Sequence, residues 1–241
     1  MRDHAWEEEN FRVFDRFLDP EKSYLDIGAW IGSTVLYGAH KAKHVYAIEP
    51  DNVAFQELLG NLAVNPAISP KVTCINAALT EKPGKTRLYI RKELGDSMSS
   101  VIPTVSDKEF SEVRSITMSE LISQYGLQDV NFVKMDIEAG EYRLIPAMGD
   151  YLSSLRPTLY VSLHFPYLLD EAKLEAQNPA TTGDIRWLLE ERPLVLTRQM
   201  LDCLRFYRFI YDAEGNEVSR DWIVANKKDG PFVFTDLPWR K

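Results

Sequence analysis

The residues best suited to chemistry lie in Tyr24-Leu25-Asp26-Ile27-Gly28-Ala29-Trp30-Ile31-Gly32-Ser33. An apolar run carries an acid near its end, and Gly28 and Gly32 follow. Glycine lets the backbone approach a ligand where a Cβ would collide. A helix starting behind such a turn aims its free N–H groups at whatever is bound. The spacing D-x-G-x-x-x-G differs from the G-x-G-x-x-G turn that cradles a pyrophosphate. An acid there repels pyrophosphate and suits a ligand bearing an ammonium group. A second acid, Glu49, closes Val45-Tyr46-Ala47-Ile48-Glu49-Pro50-Asp51. It stands about twenty residues beyond the first acid, where related folds place a ribose-binding carboxylate. Asn76-Ala77-Ala78 comes next, polar and small residues able to flank a flat base. A Gly-rich turn alone is often only a turn. Three such elements in order, each closing a strand, mark the edge where open parallel sheets bind ligands.

These positions fit S-adenosylmethionine, with Asp26, Gly28, Gly32, Ser33, Glu49, Pro50, Asn76 and Ala77 as its candidate contacts. Two further residues close later strands and could handle a proton. Asp136 follows Val130 to Met135, and His164 follows Thr158 to Leu163. Adjacent strand ends would bring both over one edge. Histidine titrates near 6.5 when unperturbed, so His164 could accept a proton at neutral pH. Asp136 could orient that imidazole or hold an acceptor hydroxyl. The plainer readings are a strand-end histidine with satisfied bonds and an Asp136 that caps a helix starting at Glu138 or Ala139. Glu138 and Glu141 would then simply favour the positive end of that helix. His4, His40 and His44 read as surface positions without a role.

The elements needed to hold these groups are legible. Trp6, Phe14, Phe17 and Leu18 imply a leading helix within residues 1–20, ended near Pro20. Strands are expected at Ser23–Ile27, His44–Ile48, Lys71–Ile75, Val130–Met135, Thr158–Leu163, Phe206–Tyr211 and Pro231–Thr235. A helix follows the glycine turn through His40. Asp51 caps the next, which carries Phe55, Leu58, Leu59 and Leu62 at helical spacing. Residues 80–118 break the rhythm: Pro83-Gly84 marks a turn, Thr86 to Ile90 alternates like a strand, and Ser97-Met98-Ser99-Ser100 is polar. An inserted hairpin or lid is expected there. The sum is one α/β domain over residues 1–241, with about seven strands in a mostly parallel sheet and helices on both faces.

Composition agrees. The 241 residues, 45% hydrophobic, suffice for one sizeable core. The formal net charge of −8 argues against a nucleic-acid partner, whose backbone calls for a basic surface. Cys74 and Cys203 lie far apart in apolar stretches and read as buried, reduced thiols. No apolar run reaches the ~20 residues of a membrane span. The charged first residues are unlike a secretory signal, so a cytoplasmic protein is expected.

One more stretch narrows the reading. Phe132-Val133-Lys134-Met135-Asp136-Ile137-Glu138-Ala139-Gly140-Glu141 resembles the K-x-D-x-E-G-x-E pattern of the FkbM family of class I S-adenosylmethionine-dependent methyltransferases, with Ala139-Gly140 where that family more often has Gly first. The likeness runs from about Tyr24 to His164. It implies a Rossmann-like methyltransferase fold, a cofactor site at Asp26, Gly28, Gly32 and Glu49, and a serine-rich segment matched by Ser97 to Ser100, with Ser99 and Asp136 near the cofactor. It also implies an oxygen nucleophile: a sugar hydroxyl of a glycan, glycolipid or natural product. Methyl transfer needs alignment of that hydroxyl with the sulfonium methyl and removal of its proton, the work expected of Asp136 and His164. Asp136, Glu138 and His164 could instead ligate a divalent metal. Related sequences often carry an acid where Ser162 stands, so that the metal reading is not favoured. The alternatives are another nucleotide-dependent enzyme or a non-catalytic module retaining the fold. Acceptor choice is expected in residues 80–118 and 165–200, where Arg186, Trp187 and Tyr167 could stack on or bond a sugar.

Overall fold

The chain runs α1 (Ala5–Phe17), β1 (Ser23–Ile27), α2 (Ser33–Ala39), β2 (His44–Ile48), α3 (Asn52–Ala63) and β3 (Val72–Ile75). A short β4 (Ala78–Leu79) leads into the hairpin β5 (Gly84–Tyr89) and β6 (Phe110–Ile116), then α4 (Met118–Tyr125). β7 (Val130–Met135), α5 (Glu141–Ala147), α6 (Gly149–Leu155), β8 (Thr158–Leu163), α7 (Phe165–Ala176) and α8 (Arg192–Cys203) follow. β9 (Phe209–Asp212), α9 (Arg220–Asn226) and β10 (Gly230–Thr235) complete the order. This computed structural model describes residues 5–239, with side chains from residue 10 onward. His4 therefore lies outside the described residues, as does the start of the leading segment. Trp6 falls within α1.

Alternation along the strands builds the layers. Tyr24, Phe132 and Tyr160 face one side of the sheet, packing with Val13, Phe14 and Phe17 of α1, Val35 of α2 and Leu58 of α3. Leu25, Ile27, Val133, Met135, Leu159 and Val161 face the other, against Leu121 of α4, Ile145 of α5 and Leu168 of α7. Helices thus cover both faces, as expected. The seven strands lie in the order β3-β2-β1-β7-β8-β10-β9. The first five pair in parallel, while β10 enters antiparallel between β8 and β9. The chain reverses direction across the sheet between β1 and β7. That switch point opens a crevice at the carboxyl ends of these strands.

The interruption at 80–118 is a hairpin: β5 and β6 pair antiparallel, with β4 on the outer edge of β6. Several boundaries differ from expectation. The strand foreseen from Phe206 begins at Phe209, because Phe206 and Tyr207 turn after α8 and the Tyr207 hydroxyl donates to the Pro157 carbonyl at 2.5 Å. The helix after β7 begins at Glu141, not at Glu138 or Ala139, whose φ values of 55° and 75° are left-handed. Leu59 is exposed on α3 while Leu58 and Leu62 are buried. Cys74 and Cys203 are free but only half-buried. His44 is half-buried, with Nε2 2.8 Å from the Thr73 hydroxyl, whereas His40 is exposed. Among the described residues, no helix is long and apolar enough to cross a membrane.

Candidate active site

The turn after β1 is shaped by what it must pass. Gly28 adopts φ 84°, and a Cβ there would stand 2.0 Å from the Asp136 carbonyl oxygen at the end of β7. Gly32 adopts φ 95°, and a Cβ there would meet Leu58 Cδ1 at 2.4 Å. Between them Trp30 is also left-handed, at φ 48°. Its N–H is thereby aimed at Glu49, donating to Oε2 at 2.7 Å. Oε1 of Glu49 accepts from the Asp51 N–H at 2.8 Å. Burial pushes the Glu49 carboxyl up to about 7, against the pull of the Asp51 and Trp30 bonds. Each oxygen still has a lone pair to offer, and Glu49 lines a cavity between the ends of β1, β2 and β7.

Asp26 has a different place from the one its sequence position suggests. It is fully buried and lines neither of the two cavities at this sheet edge. Its Oδ2 accepts from the Tyr24 hydroxyl at 2.7 Å and the Thr34 hydroxyl at 2.6 Å. Its Oδ1 lies 3.2 Å from Lys134 Nζ, directly across the β1–β7 register. Lys134 also donates to the Gly28 carbonyl at 2.7 Å. Burial disfavours the ammonium, but Asp26 and Asp136 outweigh it and raise the Lys134 pKa. The Asp26–Lys134 pair therefore pins the turn from beneath. Asn76 likewise works from behind, donating to the Glu49 carbonyl at 2.9 Å. Gly28, Glu49, Pro50, Ala77, Ser99 and Asp136 do line the first cavity. Its apolar wall includes Ile48, Leu79, Leu88 and Val101.

The 90–109 connection of the β5–β6 hairpin lies over this cavity. The Gly95 N–H donates to Asp51 Oδ2 at 2.8 Å, and the Gly95 carbonyl accepts from the Trp30 indole at 2.8 Å. The Ser100 hydroxyl donates to the Glu138 carbonyl at 2.6 Å. Closed in this way, the cavity holds about 60 Å³.

A second cavity of about 420 Å³ adjoins the first and shares Gly28, Trp30, Ser97, Asp136 and Glu138 with it. Ser33 and His164 line it, with Asn10, Thr34, Tyr160, Ser162 and Asp229 adding polar groups. Asp136 and His164, distant in sequence, do meet: His164 Nε2 lies 3.5 Å from Asp136 Oδ1 and equally 3.5 Å from Glu138 Oε2. Asp136 is not a helix cap, since Gly140 holds that position before α5. Glu141 is the residue that sequence reasoning undervalued. Its side chain is fully buried, and its Oε1 bonds His164 Nδ1 at 2.7 Å. The last acid of the K-x-D-x-E-x-x-E pattern was the available signal.

These carboxylates change the histidine's chemistry. Burial alone would lower its pKa, but Glu141, Glu138 and Asp136 raise it to about 10. The neutral imidazole expected at pH 7 therefore carries its proton unless another cation replaces it. Burial moves Glu138 up to about 7, with His164 opposing and Asp136 and Glu141 adding to the rise. Tyr167 stacks on the His164 ring, with centroids 5.5 Å apart, and the Arg91 guanidinium lies 3.6 Å over Tyr167. Arg186 and Trp187 line neither cavity.

The Methyltransferase FkbM domain matches residues 26–211 of this chain. A solved methyltransferase FkbM from Methylobacillus flagellatus superposes at TM-score 0.50 with 18% identity, over 90% of this chain. This chain covers 44% of that protein's length. A SAM-dependent O-methyltransferase from Thermotoga maritima aligns at TM-score 0.45 and 11% identity, over 98% of this chain and 66% of its own. No curated protein matches the sequence.

Proposed function

From the premise that this chain belongs to the FkbM methyltransferase family, we propose that it transfers the methyl group of S-adenosylmethionine to a hydroxyl oxygen of a polyhydroxylated acceptor. The acceptor class is a sugar unit of a glycan, glycolipid or natural product. The observation that carries this reading is the pair of adjoining cavities joined at Asp136 and Glu138. The first supplies a carboxylate for ribose and an apolar slot for a base. The second is walled by hydrogen-bonding groups suited to a sugar.

In this arrangement the adenosine lies across the ends of β1 and β2. Glu49 accepts the ribose hydroxyls, and Pro50 and Ala77 flank the base. Asp26 acts through Lys134 and the Gly28 carbonyl. Gly28 and Asp136, which line both cavities, would leave the sulfonium methyl within reach of an acceptor in the second. The acceptor hydroxyl enters between the methyl and the Asp136–His164 pair. Its O–H bond breaks, with the proton passing to the Asp136 carboxylate beside the already protonated His164. The new O–CH3 bond forms, and the CH3–S bond breaks with its electrons left on sulfur as S-adenosylhomocysteine. Positioning dominates such a reaction, because the sulfonium already makes the carbon electrophilic. Residues 1–241 are read as one catalytic domain, with the 90–109 connection as its lid and a cytoplasmic setting.

Calorimetry with S-adenosylmethionine and S-adenosylhomocysteine, followed by incubation of labelled cofactor with a panel of sugars and glycosides, tests the proposal. Tight cofactor binding and a labelled O-methyl product are expected. Binding without transfer to any hydroxyl would favour a non-catalytic module. No binding at all would overturn the reading and restore a different nucleotide-dependent chemistry.

A further inference from the structure

The cluster at the ends of β7 and β8 has the spacing of an ion's ligands rather than of hydrogen bonds. His164 Nε2 is 3.5 Å from Asp136 Oδ1 and 3.5 Å from Glu138 Oε2. Good N–H···O bonds fall at about 2.7–3.2 Å, so neither contact is one. Two atoms each ~2.1 Å from a shared ion are separated by about 3.0 Å at right angles and about 3.4 Å at a tetrahedral angle. The three donor atoms all lie within 4.8 Å of one another.

The surroundings fit the same role. Glu141 holds Nδ1 at 2.7 Å and so directs Nε2 at the two carboxylates, the carboxylate–histidine arrangement that orients a metal-binding imidazole. Glu138 Oε2 is shut off from water and has no hydrogen-bond donor. Glu138 reaches this position from a left-handed backbone, which a non-glycine residue adopts at a cost and which clusters at functional sites. The neighbouring cations are committed elsewhere. Lys134 binds Asp26 and the Gly28 carbonyl, while Arg91 pairs with Asp170 and stacks on Tyr167. Among the described residues, neither Asp136 nor Glu138 has a lysine or arginine ion-pair partner.

We infer that Asp136, Glu138 and His164 hold a divalent cation whose open side faces the acceptor cavity. Two carboxylates and one imidazole, without thiolate, suit a borderline divalent ion such as manganese better than an all-oxygen ion such as magnesium. Resting on the methyl-transfer reading, this deepens it: the cation would draw in the acceptor hydroxyl and loosen its proton. The cluster then polarises that hydroxyl instead of taking its proton, which passes to water in the cavity as the O–CH3 bond forms.

Manganese alone is the probe. Paramagnetic resonance titration of the purified full chain is expected to show one bound ion, with nitrogen coupling from His164. Glu138→Gln and Asp136→Asn should each weaken binding by at least about tenfold, and Glu141→Gln by about 10–100-fold. His164→Ala should remove the nitrogen coupling. Circular dichroism melts on the same samples establish that each variant is folded, and S-adenosylhomocysteine calorimetry on the wild-type chain tests the cofactor site separately. No bound manganese at about 1 mM ion, the weak end of biological cation sites, would overturn the inference. Binding undiminished in both Glu138→Gln and Asp136→Asn would do so too. Loss of the cation site with S-adenosylhomocysteine binding intact sinks only this inference. Loss of S-adenosylhomocysteine binding by the wild-type chain sinks the function it rests on.

Discussion

Replacing Glu49 by glutamine isolates the proposed ribose contact with little disturbance of shape. The carboxylate already accepts one N–H on each oxygen, from Trp30 at 2.7 Å and Asp51 at 2.8 Å. Each oxygen keeps one acceptor site for the two ribose hydroxyls. Glutamine retains one oxygen but turns an NH2 toward one of those N–H donors and removes the charge. Hydrogen bonds to a charged group contribute about 1.5–3 kcal/mol, so losing one ribose bond weakens cofactor binding about 10–150-fold. One backbone N–H then loses its acceptor, so the free variant is expected to lose about 1–3 kcal/mol of stability while remaining folded. A pH series adds an independent check. Glu49 in the free chain titrates at about 7, raised chiefly by burial. Ribose donors favour the ionised form, so affinity should fall as pH drops through about 7 and level off above it, and Glu49→Gln should flatten that dependence. Calorimetry with S-adenosylhomocysteine reads both. A folded Glu49→Gln variant that binds within about twofold of wild type, with the same pH profile, would falsify the placement of ribose on Glu49.

Lys134→Met should destabilise the chain by about 3–5 kcal/mol in urea melts, since it leaves the Asp26 carboxylate buried without its cation; a loss below about 1 kcal/mol, the range of a surface pair, would mean the pair is not what pins the turn. A cavity of about 60 Å³ is far below the ~300–1,000 Å³ of ordinary ligand sites, so the proposed placement of adenosine predicts that the 90–109 connection lifts to admit it. Hydrogen exchange there should change on S-adenosylhomocysteine binding, and Trp30→Phe, which removes the indole bond to Gly95, should speed exchange in the free chain. Equal exchange in all samples would count against a lid. With an acceptor in hand, His164→Ala should cut turnover about 10²–10⁴-fold while cofactor affinity stays near wild type; chelation should abolish wild-type turnover, and added manganese should restore it. Near-normal, chelator-insensitive turnover in His164→Ala would remove that cluster from the chemistry.

The sheet was legible because its strands announce themselves by composition and its helices by caps. Asp51, a cap by its residue type and position, is one in the fold, accepting from the Val53 N–H at 2.8 Å. The bounds of β7 and β8 match the expected strands, because both are buried runs between clear breakers. What sequence could not give was depth. Asp26 and Glu49 both stand near strand ends, yet the two-residue period turns Asp26 into the layer beneath α2, where Lys134 meets it. That pairing joins residues far apart in the chain, and only the parallel register brings them opposite. The helix start after β7 was misplaced for a related reason. Glu138 and Ala139 favour helix by type, but tertiary contacts hold them left-handed and aim Glu138 into the site. The histidine's altered proton affinity was hidden likewise, since it depends on three carboxylates that the fold alone gathers.

The place of β10 bears on how this molecule comes to exist. It is the last of the described strands, yet it lies inside the sheet, with β8 on one side and β9 on the other. Until it arrives, β8 presents an unpaired edge, the kind of surface that recruits foreign strands. Among the described residues, β9 has no neighbour in this sheet other than β10, and the two are separated only by α9 and short connections. They can therefore zip as a local antiparallel pair and dock onto β8 as a unit, which keeps the entropic penalty of the long-range closure in one step. The same docking carries Asp229, Gly230 and Pro231 to the rim of the second cavity. A nascent chain still lacking these residues could assemble the first cavity before the second is walled. Ligand capture and catalytic competence would then be acquired in sequence during synthesis, not together.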